Sequence, residues 1–185
     1  MIKNLKIWKT IELINSNSRD LLGALAKIEC DCRGPLSDFL TLLCPNIDEA
    51  NKTIQKTWSY SVYMEHFLKL KQFNQDNKVV LKNLCMMTVE QIIGQRGTHI
   101  ELLESIGKIG GLPVEVEAGP QLRLQYQDQP VHDQVSILVK KDKDLFQCPD
   151  LFRLENWGHM VLLRTTYVND DYLWPGHEKI IFGMT

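Results

Sequence analysis

The chain has 185 residues, is 44% hydrophobic, and carries 21 Lys+Arg against 23 Asp+Glu, a formal net charge of −2. That length holds one globular domain, or one domain with an arm, and the apolar content is enough for a proper core. The charge balance speaks against a strongly basic nucleic-acid binder, so no specific nucleic-acid recognition is expected, and no apolar run approaches the roughly 20 residues that a membrane span needs.

Residues 2–9 mix Ile2, Leu5, Ile7 and Trp8 with Lys3, Lys6 and Lys9. The lysines interrupt any apolar segment, so this stretch does not read as a signal peptide, and an intracellular protein is expected. It reads as a short arm or as a first strand, and residues 1–18 are set apart as an N-terminal arm or edge strand. Asn15-Ser16-Asn17-Ser18 is a polar break. From Leu22 the pattern has a period of two: Leu22, Ala24, Ala26, Ile28, Cys30 and Cys32 share one face, with Lys27, Glu29, Asp31 and Arg33 on the other. That predicts a strand with one wet face, although Leu21, Leu25 and Ile28 also fit a helix from Arg19. Gly34-Pro35 ends it. Ser37 can cap a helix through Leu43, and Ile47, Ala50, Ile54 and Trp58 suit another after Pro45-Asn46. Residues 58–73 read as a long strand, or as a strand running into a helix. Asn74–Asn77 reads as a turn, and Val79 to Met87 as a return strand.

Thr88-Val89-Glu90-Gln91 and Thr98-His99-Ile100-Glu101 both match the capping box, in which a Thr hydroxyl and a side chain three residues on satisfy orphan backbone N–H groups. The second predicts a helix burying Ile100, Leu103, Ile106 and Ile109, stopped by Gly110-Gly111. After Leu112 the segments PVEVE, QLRLQY, DQVSILV, HMVLLRTTYV and KIIFGM all read as strands, linked at 118–120, 127–130, 140–144 and 169–171. Helices in the first 110 residues with strands after them predict an α+β fold, a mostly antiparallel sheet packed against a few short helices, over residues 19–185.

Candidate chemistry is sparse. In a strand Cys30 and Cys32 point the same way, roughly 7 Å apart. Cys44, Cys85, Cys148 and five histidines exist, but no second C-x-x-C or H-x-x-x-H pair joins them, so small apolar packing groups are expected rather than a metal site. Five cysteines without a regular framework fit a reducing compartment. Gly94–Gly97 and Gly107–Gly111 fit neither phosphate-loop pattern and read as a helix break and a helix stop. Asp170-Asp171 suits a turn. Asn156-Trp157-Gly158-His159 suits a pocket rim or a structural corner. No motif carries a catalytic mechanism, so no catalytic residue, metal or cofactor is assigned and a non-enzyme is expected. If there is a pocket between sheet and helices, in a small enzyme or a ligand-binding protein, His159, Arg164, Asp170 and the cysteines are the residues to test.

The most usable interaction feature is the start of the chain. Lys3, Lys6 and Lys9 beside Trp8 make a basic, apolar-tipped arm that suits an anionic membrane surface or a protein partner. An edge strand guarded by lysines explains the same residues equally well.

The order of features resembles the matrix proteins of rhabdoviruses, especially the shorter ones of plant viruses. The resemblance rests on strand 22–33 leading through Arg33-Gly34-Pro35-Leu36-Ser37-Asp38 into a helix. It rests further on QLRLQYQDQPVHDQVSILVKKD as paired strands, and on RLENWGHMVLLRTTYVNDDYLW as a terminal hairpin with an aromatic return strand. It covers residues 22–175 loosely. It implies a structural protein that self-associates into homo-oligomers or polymers and bridges nucleocapsid protein to membrane or glycoprotein during assembly and budding. It also implies a place in the virion and at the host cytoplasm or membrane periphery. The basic arm matches that family's functional region by residue type. Alternatives are the pocket protein above and a host-directed inhibitor or immunity-type binding module.

Overall fold

The computed structural model describes residues 5–13, 79–141, 150–158 and 161–184. The elements expected at 22–33, 37–43, 46–58 and 58–77 lie outside these residues, as do Lys3, Cys30, Cys32, Cys44, Cys148 and His159. In chain order the described elements are β1 (Lys9–Leu13), β2 (Val80–Thr88), α1 (Val89–Ile93), β3 (Gly97–Thr98), α2 (His99–Lys108), β4 (Gly111–Leu112), α3 (Ala118–Gln125), β5 (Asp133–Leu138), β6 (Leu151–Asn156), β7 (Val161–Thr166), β8 (Leu173–Trp174) and β9 (Lys179–Met184).

The main sheet runs β1-β2-β9-β5-β6-β7, with β4 alongside β9. Its pairings are antiparallel except β5 with β9, which is parallel. One side of β9 is shared: Lys179, Ile180 and Ile181 pair with β5, whereas Gly183 and Met184 pair with β4. Beyond β4, Val114 reaches across to Val139, its N–H donating to the Leu138 carbonyl at 2.9 Å. The sheet therefore forks, with the segment after β4 wedged between the ends of β9 and β5. The fold is α+β with a curled, mostly antiparallel sheet, as the sequence predicts.

Strand alternation divides the core into two layers. Ile11, Leu84, Ile137, Phe152, Leu154 and Ile181 face one way and meet Leu122 of α3 and Tyr126 at its C-terminal cap. Cys85, Leu138, Leu151, Ile180 and Phe182 face the other way and meet Ile92, Leu102, Ile106 and Trp174. KIIFGM is an unbroken apolar run because β9 is buried on both faces. Ile180, Ile181 and Phe182 are each fully buried, and each such side chain stabilises the fold by roughly 1.5–3 kcal/mol. The flanking Lys82–Glu115 ion pair, half-exposed at 2.6 Å, contributes at most about 1 kcal/mol. Apolar burial thus dominates the centre of the sheet.

Several expectations are corrected. QLRLQY is not a strand: Ala118–Gln125 is a helix. Leu122 and Leu124 alternate, but Ala118, Leu122 and Tyr126 fall one turn apart and are all buried, which is the spacing the sheet selects. Pro120 is tolerated because it lies in the first turn, where the N–H groups have no helical partner. Arg123 turns inward, donating to Gln129 Oε1 at 2.6 Å and to the Tyr126 carbonyl. PVEVE contributes only the single bridge at Val114 before a turn at 116–117. Helix and strand are consequently interleaved, not segregated at residue 110. LFRLEN, not set apart as a strand, forms β6 and makes an antiparallel hairpin with β7. Leu173–Trp174 does not return onto that hairpin but pairs with Gly97–Thr98.

Both capping boxes form, starting α1 at Thr88 and α2 at Thr98. Gly110, at φ 83°, provides the left-handed turn that follows α2. The buried face of α2 is rotated from the expected one. His99, Leu102 and Ile106 are buried, whereas Ile100 is 46% exposed and Leu103 and Ile109 are half-buried. The β3–β8 pairing places Trp174 beside the helix start, and its indole bond to His99 sets the rotation.

Candidate functional site

The N-terminal segment lies against the body of the chain. The Trp8 N–H donates to the Leu84 carbonyl at 2.8 Å, so the chain joins the sheet one residue before β1. The Trp8 ring stands edge-on to Tyr126 with centroids 5.0 Å apart. Lys9 Nζ lies 5.0 Å from the Tyr126 ring centre and 3.5 Å from Asp128 Oδ1. Gln125 donates from Nε2 to the Glu12 carbonyl at 2.9 Å and accepts the Glu12 N–H at 3.0 Å, holding both peptide groups on the outer edge of β1. Of the basic residues expected in an arm, Lys9 is thus engaged within the chain. Lys6 is exposed, with its carbonyl accepting the Cys85 thiol at 3.0 Å. Cys85 is a buried free thiol whose pKa is raised by desolvation.

A cleft of about 380 Å³ opens where α2 begins, between that helix and the end of β5. Its apolar part is Leu103 from α2, Pro113 after β4, Leu138 at the end of β5 and Val139 just after it. Its polar part is His99, Lys140, Lys141, Asp150 just before β6, and Asp170 in the turn between β7 and β8. The topology brings these together because β5 ends beside the start of β6 and the β7–β8 turn crosses the first turn of α2. There the Ile100 N–H donates to the Asp170 carbonyl at 3.2 Å.

His99 is 5% exposed and accepts the Trp174 indole N–H on Nδ1 at 3.2 Å. Burial lowers its pKa, a nearby Lys141 lowers it further, and the carboxylates of Asp150 and Asp170 oppose the shift. Protonation at Nδ1 would also set two donors against each other. The ring is held neutral with its proton on Nε2, and this makes it a hydrogen-bond donor. It has no lone pair left for a base or a metal ligand. Asp150 accepts the Val168 N–H on Oδ2 at 3.0 Å, and its Oδ1 lies 2.9 Å from Lys141 Nζ as a charge contact without an aligned hydrogen bond. In the first turn of α2 the Ile100 N–H donates to the Asp170 carbonyl and the Glu101 N–H to Thr98 Oγ1, so these two amides are already engaged.

A second ionic group lies across β5, β6 and β9. Arg153 and Ser136 both donate to Glu178 Oε1, at 2.9 and 2.8 Å, and Lys179 pairs with Asp133 at 2.5 Å. Here each charge has its counterpart in place, so the group ties strands together. Arg164, a candidate from sequence, extends this pattern by pairing with Glu155 at 3.4 Å. Of the pocket candidates, Asp170 lines the cleft and Arg164 does not. The capping-box pattern alone gives His99 no role in a site; the signal that finds it is the i, i+3, i+7 series His99-Leu102-Ile106, which places the imidazole on the buried stripe. Lys140, Lys141 and Asp150 carry no such signal, because the chain folding of β5 and β6 alone brings them to α2. Among the described residues no group of three or more His, Cys, Asp or Glu is arranged to hold a metal ion, and no helix is long and apolar enough to cross a membrane. No family model, curated protein or solved structure matches the chain.

Proposed function

We propose that the chain is a self-associating structural protein, of the kind that the resemblance to rhabdovirus matrix proteins implies. In that role it bridges copies of itself to a nucleocapsid protein and to an anionic membrane surface. The observation that supports this reading is the start of β2. Val79, Val80 and Leu81 are 57%, 38% and 64% exposed. Val80 and Leu81 point to opposite faces of β2, so this apolar entry to the strand, with Val79 just before it, is exposed on both faces of the sheet. Such a run is a liability in a solitary protein and a natural contact in one that assembles. Residues 8–13 give assembly a second route. Their contacts to Tyr126, Asp128, Gln125 and β2 are all made by one short segment, which the same surfaces on another copy can accept by exchange.

Light scattering coupled to size exclusion, over a range of protein and salt concentrations, tests the reading. Reversible growth of large species is expected, reduced in a Val79→Lys/Leu81→Lys variant whose circular dichroism is unchanged. Deleting residues 1–18 is a poor control, since it removes Ile11 and Leu13 from the core; Trp8→Ala probes segment exchange more cleanly. A strict monomer at every concentration rules the proposal out. Co-sedimentation with anionic but not neutral vesicles is the expected membrane result.

A further inference from the structure

We propose that residues 169–176 form a latch over the starts of α1 and α2 that opens in mild acid, when a proton takes the place of the Trp174 indole on His99. The proposal is independent of self-association.

The segment is tied down at its root and along its length. The Val168 N–H donates to Asp150 Oδ2 at 3.0 Å. The Asp170 carbonyl accepts the Ile100 N–H at 3.2 Å, and the Gly176 carbonyl accepts the Glu90 N–H at 2.8 Å. Between them β8 pairs with β3 over two residues only, and the Trp174 indole donates to His99 Nδ1 at 3.2 Å. Trp174 is fully buried, with Tyr172 edge-on at 5.0 Å, in the core layer that holds Leu102 and Ile106. A neutral imidazole has one acceptor nitrogen, and here the indole occupies it. A proton and the indole N–H therefore compete for the same lone pair on Nδ1. A protonated ring is all donor, and it leaves the buried indole N–H without an acceptor. The charges around the ring give the imidazolium somewhere else to go. Lys140 and Lys141 stand after β5, Asp150 before β6, and Asp170 on the β7–β8 turn. On α2 itself Glu101 is turned back onto Thr98. Burial is the chief force that keeps the enclosed ring neutral; Asp150 and Asp170 favour the proton, and Lys141 opposes it. The closed latch excludes the proton, whereas a ring turned into the cleft meets water and two carboxylates. By linkage the open form then grows as the pH falls below about 6.5, at most about tenfold per pH unit. The opening is local because β8 has a single two-residue partner, whereas β9 is paired with β2, β4 and β5.

Hydrogen exchange read by mass spectrometry on the full chain tests the latch, at about pH 7.5 and about pH 5.5 and corrected for the intrinsic rate at each. Protection of the amides at 97–100 and 170–176 is expected to fall at least about 5-fold in acid, while that of β5 and β9 holds. His99→Asn places an amide oxygen near the position of Nδ1, which accepts the indole at either pH, and is expected to flatten the dependence. Nitrogen-15 NMR of the parent imidazole needs no variant: the Nδ1 signal should change from acceptor to protonated nitrogen in step with the lost protection. Protection at 170–176 that is the same at both pH values overturns the proposal. So does an imidazole that stays neutral while protection falls, or a folded His99→Asn protein with the parent's pH dependence. Loss of β9 protection together with that of 170–176 overturns it as well, since the event is then global unfolding.

Discussion

At the scale of single residues, the Trp174–His99 pair joins stability to proton concentration. Burial keeps the folded imidazole pKa below its ordinary value of about 6.5, so the unfolded chain takes up a proton that the folded chain refuses. The stabilisation is complete above about pH 6.5 and declines as the pH falls through that value toward the lowered folded pKa. Urea midpoints at about pH 8 and pH 5.5 should therefore differ more for the parent than for His99→Gln, and the difference between the two proteins isolates this group from the other histidines. An equal pH dependence in both proteins would show that His99 is as easily protonated folded as unfolded. The Cys85 thiol has the same origin: enclosed beside Met184 and the Lys6 carbonyl, it is a packing group, whose raised pKa keeps it protonated and unreactive.

At the scale of elements, α3 rests so close to the sheet that a side chain does not fit beneath it. A Cβ built on Gly119 would lie 2.2 Å from the Phe152 ring. Alanine in a helix is otherwise favoured over glycine by about 0.5–1 kcal/mol, but overpacking a fixed aromatic ring costs about 1–3 kcal/mol. The collision prevails, and Gly119→Ala should lower unfolding stability by about 1–2 kcal/mol in chemical denaturation, with partial recovery when Phe152→Leu is added. A stabilised Gly119→Ala protein would mean that α3 sits further out. The same helix marks the limit of what its residues disclose. The capping boxes at Thr88 and Thr98 were legible because they are local: four residues hold both partners of the bond. DQVSILV and KIIFGM were legible as strands because β-branched apolar runs suit little else. QLRLQY was not, since Leu122, Leu124 and Tyr126 satisfy a period of two within it, while Ala118, which reveals the helical stripe Ala118-Leu122-Tyr126, lies before it in the 118–120 link. The cleft was the least legible feature, because Asp150 and Asp170 are brought to His99 only by pairings between distant strands.

For the molecule as a whole, β9 is the strand on which the described sheet depends. It borders β2 on one side and both β4 and β5 on the other, and its side chains enter both core layers. Ile181→Ala should cost about 2–5 kcal/mol, measured as a lowered denaturant midpoint, whereas Leu81→Ala, 64% exposed, should change it by less than about 0.5 kcal/mol. Equal losses at the two positions would contradict a sheet centred on β9. This placement also governs synthesis. On the ribosome β2 and β5 are completed long before residues 179–184, yet they meet only through them. Until that strand emerges, the nascent chain holds a β1–β2 ribbon and a β5–β6–β7 meander, each with an apolar edge awaiting the same partner. The interval is when the polypeptide is most open to chaperone capture, or to pairing with a neighbouring nascent copy.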